Sequence, residues 1–345
     1  MFRNRTSRGR SGIPAAESHP GPQAPHSRTA STARSVLSQP GDSTRARIRS
    51  LVNIATNHDS SMSAEDLFVL LGRDEFSSPD ELEDFIIRDP DLRKELIVRR
   101  GEVILRGFES LVVQRQDELA RTAWRSEVAR SFSTSLVRAC PWVRLIALSG
   151  SMAYRRAKPD DDIDFFLVTR PNSVWITLLF AMVGARIDRL RHKRRTVLCF
   201  NRILDEAECR EAFRSVQDRL VGREALSLTI LEGQQYYRSL LESSSWMGKM
   251  YPRLYAKALA PASLENDESN RRSRARPFRS VWNAASFFLL APYLRLVGLW
   301  RNRYLETIGN PNARFRTVIR RGFFAYESDR YELLREEYRE SFVEN

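Results

Sequence analysis

Residues that bind soft metals or form disulfides are scarce in this chain of 345 residues, which holds three cysteines and four histidines. Cys140, Cys199 and Cys209 form no CxxC pair, and His19, His26, His58 and His192 are scattered. That spacing speaks against a zinc site or a disulfide scaffold and for a reducing, cytoplasmic setting. No Ser-His-Asp or Cys-His constellation falls on adjacent elements. No apolar run follows the basic start, which argues against a secretory signal. Acidic residues are in deficit too, 43 against 56 Lys and Arg, for a net charge of +13. A balance this basic points to an anionic partner: a nucleotide, a nucleic acid or an acidic membrane face. The competing explanation is composition alone, with the excess arginine lying on solvated surface.

What is present suffices for two or three domains. Residues 1–44 are rich in Ser, Pro, Gly, Arg and Thr and poor in large apolar side chains. They read as a disordered basic tail, with an organellar transit peptide as the other reading. Residues 45–108 carry three short helical patterns. In the first, Ile48, Leu51, Val52 and Ala55 share a face; Ser63 caps the second, with Gly72 at its end, and Ser78-Pro79 starts the third. Leu96–Val98 and Val103–Leu105, joined through Arg99-Arg100-Gly101, predict a hairpin. Together these make a winged-helix-like segment, more often a packing module than a DNA reader. Residues 109–210 form the expected core and residues 211–345 a helical C-terminal region. The core opens with an amphipathic helix over 110–138 whose buried side is Val112, Leu119, Ala123, Trp124, Val128, Phe132 and Leu136.

The chemistry is concentrated between Ser149 and Thr169. Val143–Leu148 predicts a buried strand running into Ser149-Gly150-Ser151, and Met152 onward opens a helix. A strand, a small-residue turn and a helix start present backbone N–H groups to an anion, and Gly150 permits close approach. Ten residues on, Asp162-Ile163-Asp164 enters a second apolar strand, Phe165–Thr169. Side chains two apart on a strand share a face, so Asp162 and Asp164 project together toward the turn. Paired carboxylates repel unless a cation lies between them, and Mg2+ with its preference for hard oxygens suits them. The bland alternative is an acidic turn that merely starts a strand.

Gly-Ser, a spacer, then Asp-hydrophobic-Asp entering an apolar strand resembles the signature of the DNA polymerase β-like nucleotidyltransferase superfamily. The similarity extends to a bacterial branch with an N-terminal helical or winged-helix segment, a Trp-containing apolar helix (here Trp175 within Val174–Leu179) and a Cys-x-Asn strand (here Cys199-Phe200-Asn201, within 196–204). The resemblance implies an α+β fold: a mixed β-sheet flanked by helices, preceded by the winged-helix-like segment and followed by the helical C-terminal region. It also implies a magnesium-dependent transfer of a nucleoside monophosphate from a triphosphate such as ATP to an acceptor, releasing pyrophosphate. Ser149, Gly150 and Ser151 would bind the nucleotide; Asp162 and Asp164 would be the metal ligands and catalytic residues. Active members supply a third carboxylate from a neighbouring strand. Strict alternation would place Val197, Cys199 and Asn201 on one face of that strand and Leu198, Phe200 and Arg202 on the other. Asn201 offers a carbonyl but no base; Asp205 and Glu206, just beyond, are possible substitutes. The rival functions are a nucleotide-binding protein that has lost transfer and a DNA-binding regulator acting through the basic N-terminal half.

Other features admit two uses each. Arg155, Arg156 and Lys158 steer a triphosphate or are solvated; the basic run 186–195 touches nucleic acid or is an exposed turn. Tyr236, Tyr237, Trp246 and Tyr251 stack on a base or, more commonly, fill a core. Residues 263–276 read as an exposed loop. Residues 281–300 are apolar and long enough to cross a bilayer, but they contain Asn283, Pro292 and Arg295. A buried or interfacial helix pair is the expectation, membrane association the alternative.

Overall fold

The computed structural model describes residues 40–72, 75–192, 196–260, 278–307 and 314–341. The tail over 1–39 and the loop over 263–276 lie outside them. The first described helix, α1 (Pro40–Asn57), includes residues 40–44, which were expected in the tail, and buries Ile48, Leu51 and Val52 completely. There follow β1 (Met62–Ser63), α2 (Ala64–Leu70), α3 (Pro79–Arg88), α4 (Leu92–Glu95), β2 (Leu96–Arg99) and β3 (Glu102–Leu105). The Ser63 and Ser78 hydroxyls cap α2 and α3 by accepting from the N–H groups of Asp66 and Glu81. The three strands form an antiparallel sheet in the order β1-β3-β2. Arg100 and Gly101 both take positive φ, 53° and 74°, the left-handed pair that a two-residue hairpin loop requires.

The long helix α5 (Ser110–Ala139) leads into a larger unit containing β4 (Val143–Leu148), α6 (Gly150–Ala153), β5 (Ile163–Thr169), α7 (Val174–His192) and β6 (Leu198–Asp205). After them come α8 (Glu206–Ser215), α9 (Arg219–Ser227), β7 (Thr229–Glu232), α10 (Gln234–Glu242), α11 (Trp246–Met250) and α12 (Pro252–Leu259). The chain closes with α13 (Arg279–Thr307), β8 (Phe315–Arg320), β9 (Phe323–Ser328) and α14 (Asp329–Ser341). Six strands form one sheet in the order β7-β4-β5-β6-β9-β8, with β5 and β6 parallel and every other neighbour antiparallel. The protein is α+β, with a mixed sheet and helices on both of its faces. β5 shows the alternation that divides the core: Ile163, Phe165 and Leu167 pack with α5, α7 and α13, while Phe166 and Val168 pack toward α8–α12.

Two expectations need correction and a third is met. The C-terminal region is not purely helical: β7, β8 and β9 supply half of the larger sheet. β7 is four residues long and β8 and β9 alternate poorly, so hydrophobic periodicity gave little sign of them. The commoner expectation for the aromatics holds: Tyr236, Tyr237 and Tyr251 fill the core, and the Trp246 indole donates to the Phe213 carbonyl. In α5, Ala123 and Trp124 face solvent and Leu119 is half-buried; the buried middle of the helix consists of Arg115, Glu118, Thr122 and Arg125. An apolar-face reading misplaces that segment because its inward face is polar.

Candidate active site

β4 ends at Leu148, and Ser149 is extended (φ −124°, ψ −177°) before the chain turns through Gly150 at φ +59° into the single turn of α6. The antiparallel register sets Leu148 opposite Phe165, and the Ser149 N–H donates to the Asp164 carbonyl at 3.0 Å. The turn therefore lies against the start of β5. A Cβ on Gly150 would sit 3.0 Å from Asp164 Oδ2, so glycine is required here twice over, for its positive φ and for the carboxylate packed beside it. Ser149, Gly150, Ser151 and Asp164 are brought together, with Asp162 near enough to act on the Asp164 charge.

The neighbouring strand adds Asn201. Cys199 of β6 aligns with Asp164, but the next aligned pair is Arg202 with Phe166, so β6 carries one extra residue at this point. This bulge breaks the strict alternation expected from sequence. Phe200 stacks on Phe165 in the α5–α7 core, with centroids 5.5 Å apart. The Asn201 amide donates to Asp164 Oδ1 and its carbonyl accepts from the Cys199 thiol at 2.8 Å. Arg202 does not follow Phe200; its charge acts on Glu224 of α9 and Tyr331 of α14.

Burial, then the charges of Asp162 and Asp161, push the Asp164 carboxyl from its ordinary 3.8 up to about 7, against the lowering effect of the Asn201 hydrogen bond. Asp162 is raised as well, by burial first, with Arg301 of α13 opposing. Burial and the adjacent Asp164 keep the Cys199 thiol protonated. Glu224 also raises Asp164. Its own carboxyl is raised by burial, opposed by a hydrogen bond from the Tyr154 hydroxyl at 2.9 Å and by Arg223 and Arg202. Glu224 was not apparent in the sequence, since one Glu on a helix 60 residues after the motif has no spacing signal.

Asp205 and Glu206 do not complete the site. Asp205 aligns with Thr169 at the far end of β5, about 17 Å along the strand from Asp164. It caps α8 by accepting from the N–H groups of Ala207 and Glu208, and Glu206 pairs with Arg144 at 2.5 Å. Among the described residues, no group of three or more His, Cys, Asp or Glu is arranged to hold a metal. On the neighbouring strand, the side chain that meets Asp164 is an amide, Asn201. The oxygens that remain are those of Asp162 and Asp164, which are hard donors, since the Asn201 carbonyl is turned to the Cys199 thiol. Two half-buried, mutually repelling carboxylates fit a divalent cation, whose charge would offset what raises them.

The loop between turn and strand is fixed by α5. Arg115 donates to the Arg155 carbonyl, Arg121 to Ala157 at 2.8 Å, and Arg125 to Lys158 and Pro159 at 2.8 Å each. Arg156 turns inward, pairing with Glu102 of β3 at 3.0 Å and Glu118 at 3.5 Å, while Arg115 pairs with Glu102 at 3.1 Å. All four side chains are buried. Lys158 donates to the His58 carbonyl at 3.0 Å. Arg156 and Lys158 therefore join the loop to the N-terminal helices and strands; Arg156 is buried, Lys158 half-buried and Arg155 exposed. The basic run from 186 is not a turn as far as His192, which ends α7; residues 193–195 lie outside the described residues.

Comparison with family models, with curated proteins and with solved structures finds no match to the chain. The fold and site define its class no further than an α+β protein whose mixed sheet joins a glycine turn to half-buried, paired aspartates.

Proposed function

We propose that the protein binds a nucleoside triphosphate with magnesium and transfers the nucleoside monophosphate to an acceptor hydroxyl, in the manner of DNA polymerase β-like nucleotidyltransferases. One observation carries the proposal: the Asp164 carboxylate lies against Gly150, so a phosphate held at the turn would meet the carboxylates directly. Ser149, Gly150 and Ser151 would hold the triphosphate, and Asp162 and Asp164 would hold the metal. Bound there, magnesium would neutralise the triphosphate and the departing pyrophosphate. The acceptor oxygen would form a bond to the α-phosphorus as the bond to the β-phosphate oxygen breaks. Glu224, whose carboxyl is raised by burial and whose charge acts on Asp164, is the side chain best suited to take the hydroxyl proton. Residues 40–105, with strand order β1-β3-β2 behind a helical lead, are read as a winged-helix-like module packed on the site through Glu102 and Arg156.

Binding without transfer is the second reading, favoured by Asn201 standing beside Asp164 where a carboxylate would complete a two-metal site. The test uses each nucleoside triphosphate, labelled at the α-phosphate, with magnesium, on the full chain and on the Asp162→Ala/Asp164→Ala variant. Equilibrium binding is read alongside transfer. Binding lost in the variant supports the site; label in an acceptor supports transfer; binding alone supports the second reading. Failure of the wild type to bind any triphosphate refutes both.

A further inference from the structure

Helix α13 is inverted relative to a core helix. Its buried stripe contains Asn283, Ser286 and Gly298 besides Leu290, Ala291 and Leu294. Its outward face carries Trp282, Phe288, Leu289, Leu296, Leu299 and Trp300, each 62–72% exposed. At 100° per residue these six lie within an arc of roughly 120°, one continuous apolar stripe along the helix. They present on the order of 800 Å2, above the roughly 300–600 Å2 of the largest patch on a typical monomer. α7, packed against α13, adds a second outward stripe at Phe180, Val183, Ile187 and Leu190.

The helix is long and apolar enough to cross a membrane, yet it is fastened along the protein. Asn283 Oδ1 accepts from the N–H groups of Trp175 and Ile176 at 2.9 and 3.2 Å. Leu290, Ala291 and Leu294 enter the core, and the Asn302 amide brackets the Phe315 backbone at 2.8 and 3.2 Å. One face is therefore committed to protein and the other is left to its surroundings. Charge identifies the occupant. On α13, Arg295 and Arg303 flank or lie within the outward stripe, whereas Arg301 turns to the other face over the Phe315 ring; the exposed end of α7 adds Arg186, Arg189 and Arg191 against Asp188. A second copy packed face to face would set arginine against arginine. Anionic headgroups complement the same residues, and tryptophans near both ends of the stripe suit the boundary between acyl chains and water.

We propose that the outward face of α13, with the stripe of α7, is a docking surface for an anionic lipid bilayer, on which the helix lies in the plane of the interface. The proposal is independent of the nucleotide site. The test is co-flotation of the full chain with vesicles of phosphatidylcholine alone and of phosphatidylcholine with about 30% phosphatidylglycerol, at two salt concentrations. The expected result is at least tenfold stronger partitioning onto the anionic vesicles, weakened by salt. Partitioning should fall at least tenfold in the Trp282→Ser/Leu296→Ser/Trp300→Ser variant. Should that variant lose its cooperative melt, Arg295→Glu/Arg303→Glu, altering two exposed positions, takes its place and should also lose at least tenfold on anionic vesicles. Wild type that stays unbound, or binds as well when mutated, overturns the proposal. So does a stable dimer in light scattering that the serine variant dissolves.

Discussion

Replacing Asp164 by asparagine removes a charge that the fold holds at a cost. In the unfolded chain the carboxyl ionises near 3.8; in the folded protein, half-buried beside Asp162 and Asp161, it ionises at about 7. Between those values the folded state binds more protons than the unfolded, so stability falls as pH rises through that window and stays low above it. A displacement of about 3 pH units at 1.36 kcal/mol each gives a penalty of up to about 4 kcal/mol at pH 8 and almost none at pH 4. The substituted side chain keeps an oxygen able to accept from Asn201, so the hydrogen bond survives while the charge goes. The Asp164→Asn variant without metal should therefore be more stable than wild type at pH 8, by roughly 4–8 °C in Tm, with the gap closing toward pH 4. Scanning calorimetry across that range reads it directly. Magnesium with a nucleoside triphosphate should stabilise the wild type and leave the variant unmoved. A variant no more stable than wild type at pH 8, or a gap independent of pH, would refute the account of a carboxylate held in reserve for a cation.

Gly150→Ala should weaken triphosphate binding at least tenfold and cost about 1–2 kcal/mol in urea unfolding, because it needs a positive φ and crowds Asp164 Oδ2. Arg156→Ala leaves Glu102 and Glu118 buried without one of their partners and should cost about 3–5 kcal/mol, read in the same urea titration; a loss under about 1 kcal/mol would show that the cluster is not a stabilising network. Asn201→Asp sets a further carboxylate beside Asp164. Without metal it should melt lower than wild type at pH 8, and it should bind Mg2+ or Mn2+ more tightly in isothermal titration calorimetry.

The elements that sequence reading recovers are those whose local and tertiary signals agree. Ser63 and Ser78 cap helices, Arg100-Gly101 turns a hairpin, and Val143–Leu148 and Ile163–Thr169 are apolar strands between breakers. It misses the residues whose environment contradicts their chemistry. Arg115, Glu118 and Arg125 recur at helical spacing, but a search for apolar periodicity passes over a charged inward face. α13 misleads in the opposite sense, since its apolar residues point outward. Arg202 and Asn201 depend on a bulge, which no pattern of period two contains. Glu224 acts on Asp164, through its charge, only by virtue of the packing of α9.

The arginines of α5 grip the loop over 155–159 by its carbonyl oxygens rather than by its side chains. Every residue type has the same carbonyl, so such a grip recognises the course of the chain and is blind to what the chain displays. Arg155, which is exposed, can thereby be exchanged within what its positive φ of 58° allows, while the aspartates downstream keep their place. In this protein the adjustable and the fixed demands on the site fall on different helical and loop segments, and selection or engineering can change the first without disturbing the second.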